Sequence, residues 1–303
     1  MFTFHPISSD TRRRLLAGEL DPDAVAAVVR MAVAEDLMGG TDVTSAATVP
    51  ADQRSVGSFG ARREGVVAGL AIAAAAIDAV CGDDVSDVDY LIADGDRVGP
   101  GDVVARVTAP TRGLLTAERT ALNLLCHLSG IATLTRRWAD ALAGTPCVVR
   151  DTRKTTPGLR ALEKYAVRCG GGANHRMGLA DAVLVKDNHV LAAGGVAEAI
   201  AAVRPLAGEL PIEIEVDSLD GLRVAIDAGV DTVLLDNFTI DGLREAVAIR
   251  DGSGRHVVLE ASGGLTLEVA RQVGETGVDY VAVGELTHSP RILDLGLDLD
   301  AVT

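Results

Sequence analysis

From residue 147 onward the chain repeats one pattern: a short apolar run, a knot of charged or glycine residues, then a helical stretch. The runs are 147–150 (CVVR), 182–186 (AVLVK), 212–216 (IEIEV), 232–235 (TVLL), 256–259 (HVVL) and 280–283 (YVAV). Helical spacing fills 196–203, 219–228, 243–248 and 267–276. Strand alternating with helix every twenty to thirty residues or so predicts a parallel α/β arrangement. Only six such units are visible, so six strands are expected and a full eight-stranded barrel is not. Residues 294–303 are too short for another unit.

The chemistry falls at the C-terminal ends of these runs. The first ends in Asp151-Thr152-Arg153-Lys154, the second in Lys186-Asp187-Asn188-His189 and the third in Glu215-Val216-Asp217. Asp236-Asn237 closes the fourth, Glu260-Ala261-Ser262-Gly263-Gly264 the fifth and Gly284-Glu285 the sixth. Reactive groups gathered at one end of successive parallel strands are what an α/β-barrel active site requires.

The first part of the chain reads differently. Residues 21–37 have helical spacing, with Asp21 as N-cap and Pro22 just inside. Residues 55–67 alternate as a strand, 70–80 form an Ala-rich buried helix, and 90–110 hold short Val-rich strands between Gly-Asp turns. The last of these is similar to the hairpin of lipoyl and biotinyl carrier domains. A carrier needs a lysine on a tight turn and this region has none, so it is assigned to the first domain. The longest helical stretch is 116–142, with Thr116 as N-cap and a break expected near Ser129-Gly130. The expected division is a domain over 1–130, a barrel over 131–290, and 291–303 packing back on the first domain.

Charge is distributed unevenly. The chain carries a net −15, yet 150–189 holds eight Lys/Arg against four acids, and all three lysines of the chain (Lys154, Lys164, Lys186) lie there. The overall acidity argues against nucleic acid and against anionic membranes. A cationic island in an acidic protein points instead to a polyanionic small molecule. The four cysteines form no CxxC pair, so zinc and redox motifs are not expected. No apolar run follows the basic N-terminal residues, and the stretch 66–80 is too short for a span and contains Asp78. A cytoplasmic enzyme is expected.

Two glycine clusters suit phosphate. Ser262-Gly263-Gly264 precedes the expected helix 267–276, whose N-terminus and bare amides would receive an anion. Val283-Gly284-Glu285 follows the next strand. Glu215 and Asp236, on neighbouring strand ends, suit Mg²⁺ directly or through water, or they balance Arg153, Lys154 and Lys186. Arg153 and Arg176 are each able to grip a carboxylate in two-pronged fashion, His175 adds a donor, and Asn174 shapes the loop. On the helix 158–169, Arg160, Lys164 and Arg168 recur every four residues opposite Leu159, Leu162 and Ala166. That stripe is expected to be solvated and outside the pocket. Asp217 and Asp231 read as loop acids. Lys186 also has a rival reading as a Schiff-base lysine, which needs a dry pocket and a depressed pKa.

Taken together, these residues resemble the quinolinate phosphoribosyltransferase family. The resemblance runs through DTRKTTPGLRALEKYAVRCGGGANHRMGLADAVLVKDNH, then EIEVDS, LLDNF, EASGG and VGELTHS, with TAERTALNLL upstream. The two acids and Thr-Gly loop of type I phosphoribosyltransferases are absent. The resemblance implies an N-terminal α/β sandwich and a C-terminal six-stranded open α/β barrel. It implies a homodimer, with further assembly left open, in which Arg119 reaches the neighbouring subunit's site. It places Arg119, Arg153, His175, Arg176 and Lys186 around quinolinate. Thr152, Lys154, Glu215, Asp236, Ser262, Gly263, Gly264 and Gly284 face phosphoribosyl pyrophosphate and its Mg²⁺, with Val283 and Glu285 adjoining. Lys154, Glu215 and Asp236 are the implied catalytic groups, and the implied reaction forms nicotinate mononucleotide for NAD synthesis. The alternatives are another aromatic acid as acceptor, a Schiff-base lyase, or a non-catalytic anion-binding module.

Overall fold

The computed structural model describes residues 2–82 and 87–301, so residues 302–303 of the expected C-terminal segment lie outside the described residues. Two compact units emerge: Met1–Leu134 with Thr155–Gly171 and Ser289–Thr303, and Thr135–Lys154 with Gly172–His288. The piece Thr155–Gly171, inside the stretch assigned to the barrel from sequence, groups with the first unit.

The first unit opens with helices α1 (Ser9–Ala17), α2 (Pro22–Leu37) and α3 (Val43–Thr48), followed by β1 (Arg54–Ala61), β2 (Gly65–Val66) and α4 (Leu70–Cys81). Strands β3 (Asp87–Tyr90), β4 (Arg97–Val98) and β5 (Val103–Pro110) lead to the long helix α5 (Thr111–Leu142), which ends in the second unit. The last strand of the chain, β12 (Leu295–Ala301), joins an antiparallel sheet ordered β12-β1-β5-β3. Every second residue of β1 is buried, as a half-covered sheet requires. Asp21 caps α2 by accepting the N–H of Asp23 at 2.9 Å, with Pro22 in the first turn. Helix α4 is buried along almost its whole length because alanine lets it approach its neighbours closely, and Asp94 accepts its first amides, Gly69 N at 2.9 Å and Leu70 N at 3.1 Å.

Two expectations for this unit need correction. Helix α5 starts at Thr111 and runs unbroken; Thr116 is inside it, its hydroxyl donating to Arg112 O at 2.9 Å. Gly130 is no helix break but a place of close approach, since a Cβ there would stand 2.2 Å from the Arg291 carbonyl oxygen. The basic stripe on α6 (Arg160–Cys169) is not solvated either. Lys164 is fully buried, and Arg168 donates to Gly18 O at 2.7 Å. Spacing of four residues established only that the three side chains share a face.

The second unit contains β6 (Val148–Arg150), β7 (Val183–Val185), α7 (Asp187–Ala193), α8 (Val196–Ala207), β8 (Ile212–Val216) and α9 (Leu219–Ala228). Then come β9 (Thr232–Asp236), α10 (Ile240–Gly252), β10 (Val258–Ser262), α11 (Ala270–Gly274), β11 (Tyr280–Ala282) and α12 (Glu285–His288). The six strands form one sheet, β6-β11-β10-β9-β8-β7, with every pairing parallel. Among the described residues β6 and β7 share no ladder, and one isolated bridge from Arg150 to Ala173 is made on that side. The ring is therefore open between its first and second strands. Ser218 and Thr239 cap α9 and α10 by accepting the amides of Gly221 and Gly242 at 3.3 and 3.1 Å. No single helix among the described residues is long and apolar enough to cross a membrane.

Candidate active site

Strand register decides which side chains share a face. Glu215 stands opposite Leu234, Leu234 opposite Glu260, and Asp236 opposite Ser262. Leu184 is opposite Glu213, and Ala282 opposite Arg150. Side chains two apart on a strand point the same way, so all of these project from one face of the sheet. A cavity of about 500 Å³ opens there, lined by Thr152, Arg153, Lys154, His175, Arg176, Leu184, Lys186, Asp187, Glu215, Leu234, Asp236, Glu260, Ser262 and Ala282. Glu215, Asp236 and Asp187 also border a second cavity of about 340 Å³ beside Ser218 and Gly221. The two acids expected to serve a cation thus stand at the partition between two spaces.

The cationic side of the cavity carries two arginines. Arg153 and Arg176 each have a buried Nε that meets no acceptor among the described residues. Arg176 Nη1 is held by Ala182 O at 3.2 Å. Burial, and secondarily the charge of Arg153, lower the pKa of Arg176, the direction that a neighbouring anion would reverse. Lys186 Nζ lies 3.5 Å from Glu215 Oε2 with its side chain 50% exposed. A wet, ion-paired lysine is a poor Schiff-base nucleophile, which removes the support for a lyase. Lys154 is exposed, its amide donates to Thr152 Oγ1 at 3.0 Å, and its carbonyl accepts from Thr287 Oγ1 at 2.9 Å.

Glycines near the site make room for side chains. A Cβ on Gly284 would come within 3.0 Å of Lys154 Cδ. Gly263 sits at φ +93°, where a Cβ would meet Asn237 Oδ1 at 2.2 Å, and Asn237 in turn donates to Asp236 Oδ2 at 2.8 Å. Gly264, at φ +56°, faces open space. Helix α11 begins only at Ala270, so the expected helix N-terminus is not adjacent to Ser262-Gly263-Gly264. Gly263, Gly264, Val283, Gly284 and Glu285 are not lining residues of the cavity; Val283 is buried, donating its amide to Arg150 O at 2.9 Å, and Glu285 is exposed. Arg119 lies in the first unit, exposed on α5.

Two buried carboxylates went unassigned from sequence. Glu213 is 6% exposed and Glu260 is wholly buried. Glu213 Oε2 lies 2.9 Å from His175 Nε2, and Glu260 bridges Arg150 Nη1 at 2.7 Å and His175 Nε2 at 3.6 Å. Burial above all, then the charge of Glu213, pushes the Glu260 carboxyl above the usual range, with Arg150 and His175 opposing. The signal available in the sequence was alternation: a Glu two residues before Glu215 and another two before Ser262 must share their face. His175, expected as a free donor, has both ring nitrogens engaged, because Nδ1 accepts the amide of Arg176 at 2.7 Å. Its loop is pinned by fully buried Asp151, which accepts the His175 amide at 2.9 Å.

Comparison with known proteins places this geometry. Residues 42–129 match the family model described as quinolinate phosphoribosyl transferase, N-terminal domain, and 131–298 match that of the C-terminal domain. The chain is 54% identical over 277 residues to nicotinate-nucleotide pyrophosphorylase (carboxylating) of Mycobacterium leprae, covering 91% of this chain and 98% of that protein. It is 41% identical over 266 residues to a probable enzyme of the same name from Bacillus subtilis, covering 88% and 90%. The crystal structure of NadC from Streptococcus pyogenes superposes with a TM-score of 0.88 at 37% identity, covering 94% of this chain and 99% of that one.

Proposed function

The chain belongs to the quinolinate phosphoribosyltransferase family, and from that premise we propose the reaction it performs and the groups that perform it. The enzyme moves the phosphoribosyl group of phosphoribosyl pyrophosphate to the ring nitrogen of quinolinate, with decarboxylation. The products are nicotinate mononucleotide, pyrophosphate and CO₂, serving de novo NAD synthesis. The observation that carries this reading is the pair of buried Nε groups on Arg153 and Arg176 that meet no acceptor among the described residues, in a cavity that holds Lys154 and Lys186 together with Glu215 and Asp236.

Quinolinate is a dianion, and desolvating two carboxylates costs too much unless cations receive them. Arg153, Arg176 and Lys186 take that role, joined by the partner subunit's Arg119 in a homodimer. As the C1–O bond to pyrophosphate breaks, the ribose gains oxocarbenium character that Glu215 or Asp236 stabilises. Lys154 neutralises charge gathering on the leaving group. The quinolinate nitrogen forms the new bond to C1, and the resulting pyridinium draws in the electron pair released when the 2-carboxylate departs as CO₂. That pair then takes a proton from water. The two carboxylates are hard oxygen donors that would hold Mg²⁺ directly or through water, and the ion would supply positive charge to offset that of the leaving pyrophosphate. Positioning and electrostatics carry the rate, with no dedicated acid.

The deciding experiment mixes the protein with quinolinate, phosphoribosyl pyrophosphate and Mg²⁺ and follows nicotinate mononucleotide and CO₂. Turnover of nicotinate in place of quinolinate, with no CO₂ released, would overturn the assignment.

A further inference from the structure

The surroundings of His175 are more specific than those of a substrate donor. Its Nδ1 accepts the backbone N–H of Arg176 at 2.7 Å. A nitrogen that accepts carries no proton, so the neutral ring's proton sits on Nε2, 2.9 Å from Glu213 Oε2. His175, Glu213 and Glu260 place one ligand atom each within 4.8 Å of one another, a spacing that would also suit a metal. Arg150 already supplies the counter-charge to Glu260 at 2.7 Å, and the Arg176 amide occupies Nδ1. A proton between the ring and Glu213 is what remains to be accommodated. A substrate carboxylate reaching for Nε2–H would bring another negative charge up to the Glu213–Glu260 pair, in a place where like charges are poorly screened.

Arg176, by contrast, is held at two points and open at a third. Its amide is held by His175, its Nη1 by Ala182 O at 3.2 Å, and its buried Nε has no acceptor among the described residues.

We propose that His175 is a positioning residue for Arg176 and not a donor to the substrate: Glu213 sets the ring, and the ring sets the arginine that grips a substrate carboxylate. The inference rests on the reading of the cavity as a quinolinate site.

Two near-isosteric substitutions separate the roles of the two nitrogens. In His175→Asn the side-chain oxygen stands near the Nδ1 position and keeps the acceptor for the Arg176 amide. In His175→Gln the amide reaches the Nε2 position and keeps a donor toward Glu213, but the Nδ1 acceptor is lost. Calorimetric titration should show quinolinate affinity within about threefold of wild type for His175→Asn and weakened by about tenfold or more for His175→Gln, the worth of one hydrogen bond in a buried setting. Affinity for phosphoribosyl pyrophosphate should stay unchanged in both, which also reports that the variants fold. The opposite ranking, equal losses, or no loss in either overturns the positioning role. Nitrogen-15 NMR of the wild-type imidazole provides a variant-free check, decisive should either variant fail to fold. A bare Nδ1 with quinolinate bound supports the inference, and a ring protonated on both nitrogens overturns it. Wild-type protein that neither binds nor decarboxylates quinolinate is a separate result, which removes the functional reading and this inference together.

Discussion

Arg150 and Glu260 meet at 2.7 Å although β11 lies between their strands in the sheet, and the Glu260 side chain is completely buried. The guanidinium also stacks over the Tyr280 ring at 4.3 Å. Arg150→Ala would leave Glu260 beside Glu213 without its strongest counter-charge, a loss of about 3–5 kcal/mol for a broken buried pair. The pH dependence follows from the direction of the Glu260 shift. A carboxyl whose folded pKa is raised contributes stability below its unfolded pKa and loses it as pH rises through the folded value. Removing Arg150 raises that value further. The Tm gap between wild type and variant should therefore stay level below about pH 7, the value to which wild-type Glu260 is raised, and widen as pH rises above it. A gap that stays constant or narrows there would show that another group governs the effect.

Arg153→Ala and Arg176→Ala should weaken quinolinate far more than phosphoribosyl pyrophosphate. Each variant withdraws a charge-assisted donor facing the cavity, worth about 1.5–3 kcal/mol, or about ten- to a hundredfold in Kd. Calorimetry with each ligand alone is the check. Equal losses for both ligands would mean that the two arginines do not discriminate between the half-sites.

Much of the barrel was legible because local and global signals agree in it. The strand 212–216 and the helix 219–228 appear at their expected limits, the helix bounded by the Ser218 cap and by Gly229 at φ +75°. Apolar runs ending in polar knots marked the strand ends, and the cavity collects Thr152, Arg153, Lys154, Lys186, Glu215, Asp236 and Ser262 from them, with His175 and Arg176 from the loop before β7. Less visible were features decided by distant contacts. Helix α1 was not among the expected elements, and α7 grows out of what looked like a strand-end loop. Lys164 is buried by neighbours that no spacing rule names, and Gly130 looks like a helix break until the chain at Arg291 is seen to cross it. The buried pair Glu213–Glu260 was hidden because an acid within a strand reads as solvent-facing unless the register of the whole sheet is known.

Glu215→Ala and Asp236→Ala should lower turnover by about a hundredfold or more while leaving quinolinate affinity within a few-fold, since both acids are assigned to charge development at the ribose and the leaving group. Both line the cavity, and both also border its smaller neighbour. The half-saturating Mg²⁺ concentration should rise in each variant, and chelation of Mg²⁺ should abolish wild-type turnover. Superimposable Mg²⁺ titrations for wild type and variants would rule out a metal role for these two side chains.

Gly263→Ala and Gly264→Ala compare two neighbouring positive-φ glycines with different surroundings. Both substitutions incur the strain of the left-handed region, about 1 kcal/mol for alanine. At Gly264 nothing lies within 4 Å of the added carbon, so the cost should end there. At Gly263 the methyl group would meet Asn237 Oδ1 at 2.2 Å and the Asn237 amide nitrogen at 2.8 Å, contacts that backbone and side chain cannot both escape. Asn237 itself has φ +58°, and its amide nitrogen donates to Ser262 O at 2.9 Å, so it has little freedom to retreat. Displacing it would also release Asp236, whose Oδ2 accepts from Asn237 Nδ2 at 2.8 Å. Gly263→Ala should therefore lower turnover and phosphoribosyl pyrophosphate affinity together, by about tenfold or more, and destabilise the fold by about 1–3 kcal/mol. Gly264→Ala should show only a small drop in Tm with turnover near that of wild type. Parallel thermal melts and steady-state kinetics make the comparison. If the two variants behave alike, the contact between Gly263 and Asn237 is not what orders the Asp236 side chain.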